Sequence, residues 1–305
     1  MSSIVATSIP VGSSIQGLAV NPATNLIYAA DYNNAVVYVL DASNNYAVVT
    51  TIAVGLQPYS VAVDQTKNLV YVVNQNITSK QNILGSLSII DGSTGTVTST
   101  LDLPDIPNQV VVNQATGDVF TGGSNVTRIV NGAIAKTIVI GPSSVTGICV
   151  SGNNEVSFIY LGQQFRFWLA RVTADQLTPI DQAMIVPLNA NGVGANTNTH
   201  VIYTTSLQAS VVQAWDGRDT PPVVVSTSPT GGYPERVAVN LSSQNYYTCN
   251  YWNSNATIVN PSSPTPITVA LGHQPWIIDV NPNTNIVYTG NYDGTMSYFT
   301  DTSGS

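Results

Sequence analysis

The sequence predicts an all-β fold, a seven-bladed β-propeller with about four antiparallel strands per blade. Three observations predict it. A phrase of apolar strand, polar turn and apolar strand recurs along the 305 residues. The units are rich in β-branched residues and show no helical period. The chain also stops one strand short of a last full unit and begins with a segment that reads like the missing strand.

The clearest copy of the phrase is Gly17-Leu-Ala-Val-Asn-Pro-Ala-Thr-Asn-Leu-Ile-Tyr28, followed by Val36-Val-Tyr-Val-Leu-Asp41. The second runs Ser60-Val-Ala-Val-Asp-Gln-Thr-Lys-Asn-Leu-Val-Tyr71 and then Ser86 to Asp91. The last is Ile277-Ile-Asp-Val-Asn-Pro-Asn-Thr-Asn-Ile-Val-Tyr288 with Met296 to Asp301. The residue that ends the first strand of each unit serves as a ruler. It falls at Asn21, Asp64, Asn113, Ser151, Asn189, Asn240 and Asn281. The mean step is about 43 residues, inside the ~40–50-residue period of propeller blades. The fourth and fifth positions rest on spacing, because identity fades there.

The fourth strand of a unit shows best as Val48 to Gly55 and Ala135 to Gly141. Ile4-Val-Ala-Thr-Ser-Ile-Pro-Val-Gly12 reads the same way, so the N-terminal strand is expected to complete the C-terminal blade. Closing a ring removes the exposed strand edges that an open array would leave. The expectation is one domain over residues 1–305, taken as complete. Its blades lie at about 13–55, 56–104, 105–141, 142–180, 181–228, 229–271 and 272–301 plus 4–12.

Composition narrows the function. Charged residues make up 8% of the chain, against a usual ~25%, so Asn, Gln, Ser, Thr and Tyr must cover the surface. The net charge is −8, with 8 basic residues and no basic cluster. Nucleic-acid partners and anionic membrane surfaces are disfavoured. No apolar run reaches the ~18 residues of a membrane span, and no secretory signal opens the chain. A sparsely charged, hydrated surface suits an extracellular, cell-surface or particle-surface setting. Cys149 and Cys249 fall in strands two blades apart, too far for a disulfide, and read as buried apolar residues.

The pattern Val-Asn-Pro-x-Thr-Asn-x-Ile/Val-Tyr followed by Val-Asp resembles the YVTN-type β-propeller repeat. Val20 to Ala30 with Asp41, Val63 to Asn74 with Asp91, and Val280 to Asn291 with Asp301 carry it. Tyr71-Val-Val-Asn74 is nearest to the naming tetrapeptide. The resemblance weakens at residues 145–230. That family includes archaeal surface-layer propellers, non-catalytic subunits and a few lyases, so the resemblance implies a fold and a surface or binding role rather than a reaction. WD repeats match poorly, since Trp215-Asp216 is the sole Trp-Asp pair.

The Asx residues that close the third strands (Asp41, Asp91, Asn131, Asp216, Asn260 and Asp301) read as turn formers rather than metal ligands. The loops between blades and those joining second and third strands share one face of a propeller. They carry Tyr32, Tyr59, Tyr233, Tyr251, Trp252, His273, Trp276 and Tyr292, with amides beside them. Flat rings next to amides suit a sugar or a protein partner, and the same rings could equally pack between blades. Asn189 to His200 reads as an insertion suited to a partner loop.

No catalytic motif, metal-ligand spacing or cofactor signature appears. His200 and His273 are expected on opposite faces, and Glu155 and Glu235 in non-equivalent loops. The expected function is therefore non-enzymatic binding or scaffolding on an aromatic, amide-rich loop face, with a protein or glycan partner and a role in an assembly. The alternative is a lyase or hydrolase with a metal-assisted site in the central pocket.

Overall fold

A computed structural model describes residues 4–78, 84–140, 144–152, 154–162, 166–181, 183–187, 189–263 and 265–303. The described residues form 28 strands in seven four-stranded antiparallel sheets, and no helix. The chain folds as a seven-bladed β-propeller.

The N-terminal strand β1 (Thr7–Pro10) stands apart from the sequential blades. Blade one holds β2 (Ile15–Asn21), β3 (Leu26–Asp31), β4 (Val36–Asp41) and β5 (Ala47–Ala53). Blade two holds β6 (Pro58–Asp64), β7 (Leu69–Asn74), β8 (Ser86–Asp91) and β9 (Thr96–Asp102). Blade three holds β10 (Gln109–Val112), β11 (Val119–Gly122), β12 (Asn125–Val130) and β13 (Ala133–Val139). Blade four holds β14 (Val145–Ser151), β15 (Glu155–Leu161), β16 (Phe167–Thr173) and β17 (Met184–Val186). Blade five holds β18 (Ala190–Asn196), β19 (Val201–Ser206), β20 (Val211–Asp216) and β21 (Val223–Pro229). Blade six holds β22 (Pro234–Val239), β23 (Tyr246–Asn250), β24 (Asn255–Val259) and β25 (Ile267–Ala270). Blade seven holds β26 (Pro275–Asn281), β27 (Ile286–Asn291) and β28 (Thr295–Thr300). The fourth strand of blade seven is β1, paired with β28 from Thr7↔Tyr298 to Pro10↔Thr295, as the chain ends predicted.

Two boundaries differ from the sequence reading. Blade four extends past residue 180, because β17 pairs with β16 through Leu169↔Met184. The fifth ruler residue is Asn196, not Asn189, and Asn191 to Asn196 are innermost-strand residues rather than an insertion. Asn196-Thr-Asn-Thr-His-Val-Ile-Tyr203 is a copy of the repeat in which His200 replaces the second Asn. Gly141, the expected end of the third outer strand, lies outside the described residues.

Burial is graded from axis to rim. The second strands β3, β7 and β27 are buried but for their first residue, whereas outer strands such as β5 and β21 are largely exposed. The core is divided into seven apolar clusters, one between each pair of neighbouring blades. The repeated Tyr of the second strand fills these gaps, with Tyr28, Tyr247 and Tyr288 at most 1% exposed.

The Asn-Pro-x-Thr-Asn turns lock one blade to the next. The first Asn accepts the N–H two residues on, as Asn281 does from Asn283 at 3.0 Å. Its amide then donates to the last residue of the neighbouring turn. Asn21 reaches Asn68 at 2.9 Å, Asn113 reaches Asn154 at 2.7 Å, and Asn196 reaches Gln244 at 2.6 Å. Asn240 reaches Asn285 at 2.8 Å, and Asn281 closes the ring onto Asn25 at 3.0 Å. Each acceptor has φ between 51° and 65°, a left-handed position that Asn tolerates better than most residues. Asn240 is fully buried in this ladder. The third-strand Asx residues behave as turn formers too: Asp41, Asp91, Asp216, Asn260 and Asp301 each accept the N–H two residues ahead.

Candidate functional site: an axial collar

On the opposite face, the start of six of the seven innermost strands is irregular. In β2, β6, β14, β18, β22 and β26 the pairing register shifts just after the first residue. A bulge re-aims the extra side chain, and such bulges are common beside functional sites. The residues so placed are Gln16, Tyr59, Thr146, Asn191, Glu235 and Trp276, five positions before Asn21, Asp64, Ser151, Asn196, Asn240 and Asn281 respectively. Asn108, just ahead of β10, takes the corresponding place in blade three. One residue from every blade thus forms a collar around the axis.

Six of these side chains, all but Gln16, line a cavity of about 300 Å³ together with Leu207, Tyr233 and Arg236. Gln16 turns its amide to Ser14 at 3.2 Å instead. Below the collar the axial channel opens into a space of about 620 Å³ walled by the inner strands, mainly Val, Ala and Leu side chains.

The collar has two chemically different halves. Blades six, seven, one and two supply a crescent of rings. Tyr32 meets Tyr59 with centroids 6.2 Å apart, and Tyr59 meets Trp276 at 6.1 Å. Trp276 contacts Tyr251 at 5.9 Å and Tyr292 at 6.3 Å. Tyr251 contacts Tyr233 at 6.1 Å, and Tyr233 stacks on Trp252 at 4.5 Å with planes 23° apart. Three of these six contacts are edge-to-face, the arrangement the ring quadrupole favours. Seven of the eight residues expected on this face therefore form one connected network. All seven are at least partly exposed, with Trp252 at 71%. The second-strand tyrosines fill the apolar gaps between blades, and these rings also meet across blade boundaries, as Tyr32 of blade one does with Tyr59 of blade two.

His273 is on the same face but apart from the network. It is exposed, its N–H donates to Asp293 at 3.2 Å, and it neither lines the cavity nor touches a ring among the described residues. Tyr233 sits at φ 64°, where an aromatic residue carries backbone strain of roughly 1–3 kcal/mol. The next residue, Pro234, starts β22, so this turn sets the entry angle of the strand that delivers Glu235 and Arg236.

Blades three, four and five supply the polar half. Asn108 donates to Ser144 at 2.6 Å and to the Val145 carbonyl at 3.1 Å, and it accepts from Gln75 at 3.3 Å. Thr146 donates to the Ala190 carbonyl at 3.2 Å. The Asn191 amide donates to the Glu235 carboxylate. Each polar collar residue is thereby held by the next blade round, and the chain of donors ends on Glu235. Blades meet tightly here: a Cβ on Gly192 would lie 2.8 Å from Arg236 Cα.

Glu235 and Arg236 are the charged groups of the cavity, and both are buried. Burial pushes the Glu235 carboxyl above the usual carboxylate range, a rise opposed by Arg236 and by the Asn191 hydrogen bond. Burial likewise raises the Tyr59 hydroxyl, which both charges influence.

A second charged cluster is structural. Arg171 clamps blade four to blade five, with Asp181 at 2.5 Å, Glu155 at 3.3 Å and the carbonyls of Gly217 and Asp219 at 2.5 and 3.0 Å. Glu155 and His200 lie by the turn face, remote in sequence and blade position from the Glu235 collar, as expected. Cys149 and Cys249 are free, buried thiols that burial pushes up to about 12. Among the described residues no group of three or more His, Cys, Asp or Glu converges to hold a metal ion.

In a comparison with solved structures, the chain superposes on a chain of Kuenenia stuttgartiensis hydrazine synthase with a TM-score of 0.81. The match covers 95% of this chain and 96% of that one at 13% sequence identity. It is a likeness of fold. No family model and no curated protein matches the sequence.

Proposed function

We propose that the protein is a carbohydrate-binding propeller whose ligand sits in the axial collar. The observation that carries this reading is the division of the collar. A sugar ring has apolar C–H faces and a hydroxyl edge. The crescent of Trp276, Tyr59 and Tyr251 offers faces for the former. Asn108, Thr146, Asn191 and Glu235 offer donors and acceptors for the latter. A cavity of about 300 Å³ is at the small end of ligand sites and suits one sugar unit, with the outer rings Tyr32, Tyr233, Trp252 and Tyr292 left for its neighbours. A concave, polar-floored site fits a ring entering end-on better than it fits a flat protein surface. The low charge and the resemblance to surface-layer-type repeats support a surface or extracellular setting. The metal-assisted alternative has no convergent ligand set behind it among the described residues.

The test is a glycan-array screen of the purified protein beside a Tyr251→Ala/Trp252→Ala/Trp276→Ala variant. Binding to a defined set of glycans, lost in a variant that still melts cooperatively, is the expected result. Equal binding by both proteins, or none by either, would remove this reading.

A further inference from the structure

The two most buried arginines of the ring are in opposite states. Arg171 is 2% exposed and its guanidinium is saturated by Asp181, Glu155, two backbone carbonyls and Thr220. Arg236 is 6% exposed and lines the collar cavity. Its Nη1 donates to the Glu235 backbone carbonyl at 3.1 Å, and the Glu235 carboxylate is 4.0 Å away. That carboxylate is already held by Asn191. Nε and Nη2 of Arg236 make no hydrogen bond to a described residue and are not sealed from solvent, so this edge of the guanidinium opens into the cavity. A guanidinium carries five donors in a planar fork that matches a carboxylate, and an open fork in a concave site is placed to pair with one.

Resting on the carbohydrate reading above, we infer that the collar takes a sugar unit bearing a carboxylate, a hexuronate-type residue, with Arg236 as its anchor. The ring of the sugar lies against Trp276 and Tyr59, its hydroxyls meet Asn191 and Glu235, and its carboxylate meets the free edge of the Arg236 fork. Glu235 beside the anion is accommodated by proton uptake, since its burial already disfavours the charged form. Asn191 and the sugar hydroxyls then share its remaining oxygen and proton. A neutral hexose would leave the guanidinium donors unmatched, so selection is by charge as well as by shape.

The experiment is calorimetric titration with methyl glycosides of glucuronate, galacturonate and mannuronate, each beside its neutral methyl ester, and with a glutamate-containing peptide. For at least one pair the acid should bind the wild-type protein about ten-fold or more tightly than its ester. Arg236→Gln should abolish that difference. Equal binding of acid and ester overturns the inference and leaves the carbohydrate reading standing, which the array tests separately. So does binding of the peptide but of no uronate. Binding of no glycoside removes the inference. If Arg236→Gln does not fold, the acid–ester comparison in the wild-type protein decides alone.

Discussion

Asn281 of blade seven donates its side-chain amide to Asn25 of blade one at 3.0 Å, across the point where the two ends of the chain meet. The same residue caps its own turn through Asn283 N–H. It is fully buried, so both bonds are made away from water. Closure therefore draws on the β1–β28 pairing on the outside, this amide bridge at the turn face and the Val20 N–H bond to Asp279.

Replacing Asn281 by Ala leaves Asn25 without its donor and Asn283 N–H without its acceptor. The expected loss is about 1–3 kcal/mol, read as a lower urea midpoint with an unchanged slope. Tyr292→Ala, at an exposed ring, should change the midpoint little. An Asn281→Ala midpoint equal to wild type would show that the amide ladder does not hold the blades together.

Arg171 and Arg236 should separate in stability measurements. Arg171→Ala strands the buried Asp181 carboxylate and breaks the clamp between blades four and five, at about 3–5 kcal/mol. Arg236→Gln should lose less than half as much, because Glu235 retains the Asn191 amide. Thermal melts of the two variants check the order. The reverse order would mean that Arg236 is the structural one.

Asp279, on β26, faces the axial channel, accepts N–H bonds from Val20 and Val280 at 2.9 Å each, and lies near the Tyr288 hydroxyl. Burial raises its pKa from 3.8 to about 6. The folded state thus favours the protonated carboxyl. Its contribution to stability is fully present below pH 3.8 and is lost as pH rises through about 6. The swing amounts to no more than about 3 kcal/mol. Asp279→Asn should flatten the stability profile between pH 4 and 7, measured by denaturant titration at several pH values. An unchanged profile would assign that slope to other groups.

Glu235 gives the proposed ligand site its own pH dependence. The titratable and charged groups around it are Arg236, Cys249, Tyr59, Tyr233 and Tyr251. With its pKa raised, Glu235 takes a proton as pH falls, and the cavity then carries the uncompensated charge of Arg236. Uronate affinity should therefore rise on going from pH 7.5 to pH 5, and Glu235→Gln should bind tightly and nearly independently of pH. Calorimetry at the two pH values is the check. Affinity that falls towards acid pH would contradict the assignment.

Much of this architecture was legible in the residues because the repeat carries its own physics. The Asn-Pro-x-Thr-Asn turns recur since each serves the same hydrogen-bond ladder, and the second-strand Tyr recurs since each fills the same gap between blades. The aromatic face was legible from loop positions, and His273 alone of the eight residues stands on that face outside the ring network. The collar was not legible by likeness, because its members (Gln16, Tyr59, Asn108, Thr146, Asn191, Glu235 and Trp276) share a backbone position and no chemistry. Counting five residues back from each ruler residue finds them. Placing the fifth such residue at Asn189 rather than Asn196 hid Asn191 from that count. Arg236 follows a bulge, a feature with no residue signature, so its orientation into the cavity needed the three-dimensional fold.

The central claim is that the axial collar, and not the blade edges or the turn face, is where the ligand binds. A crystal structure with a bound hexuronate tests it most directly. The account predicts a sugar ring packed on Trp276 and Tyr59, its hydroxyls within hydrogen-bond distance of Asn191 and Glu235, and its carboxylate paired with Arg236. A sugar seated on the outer strands or at the Asn turns, with the collar empty, would contradict it.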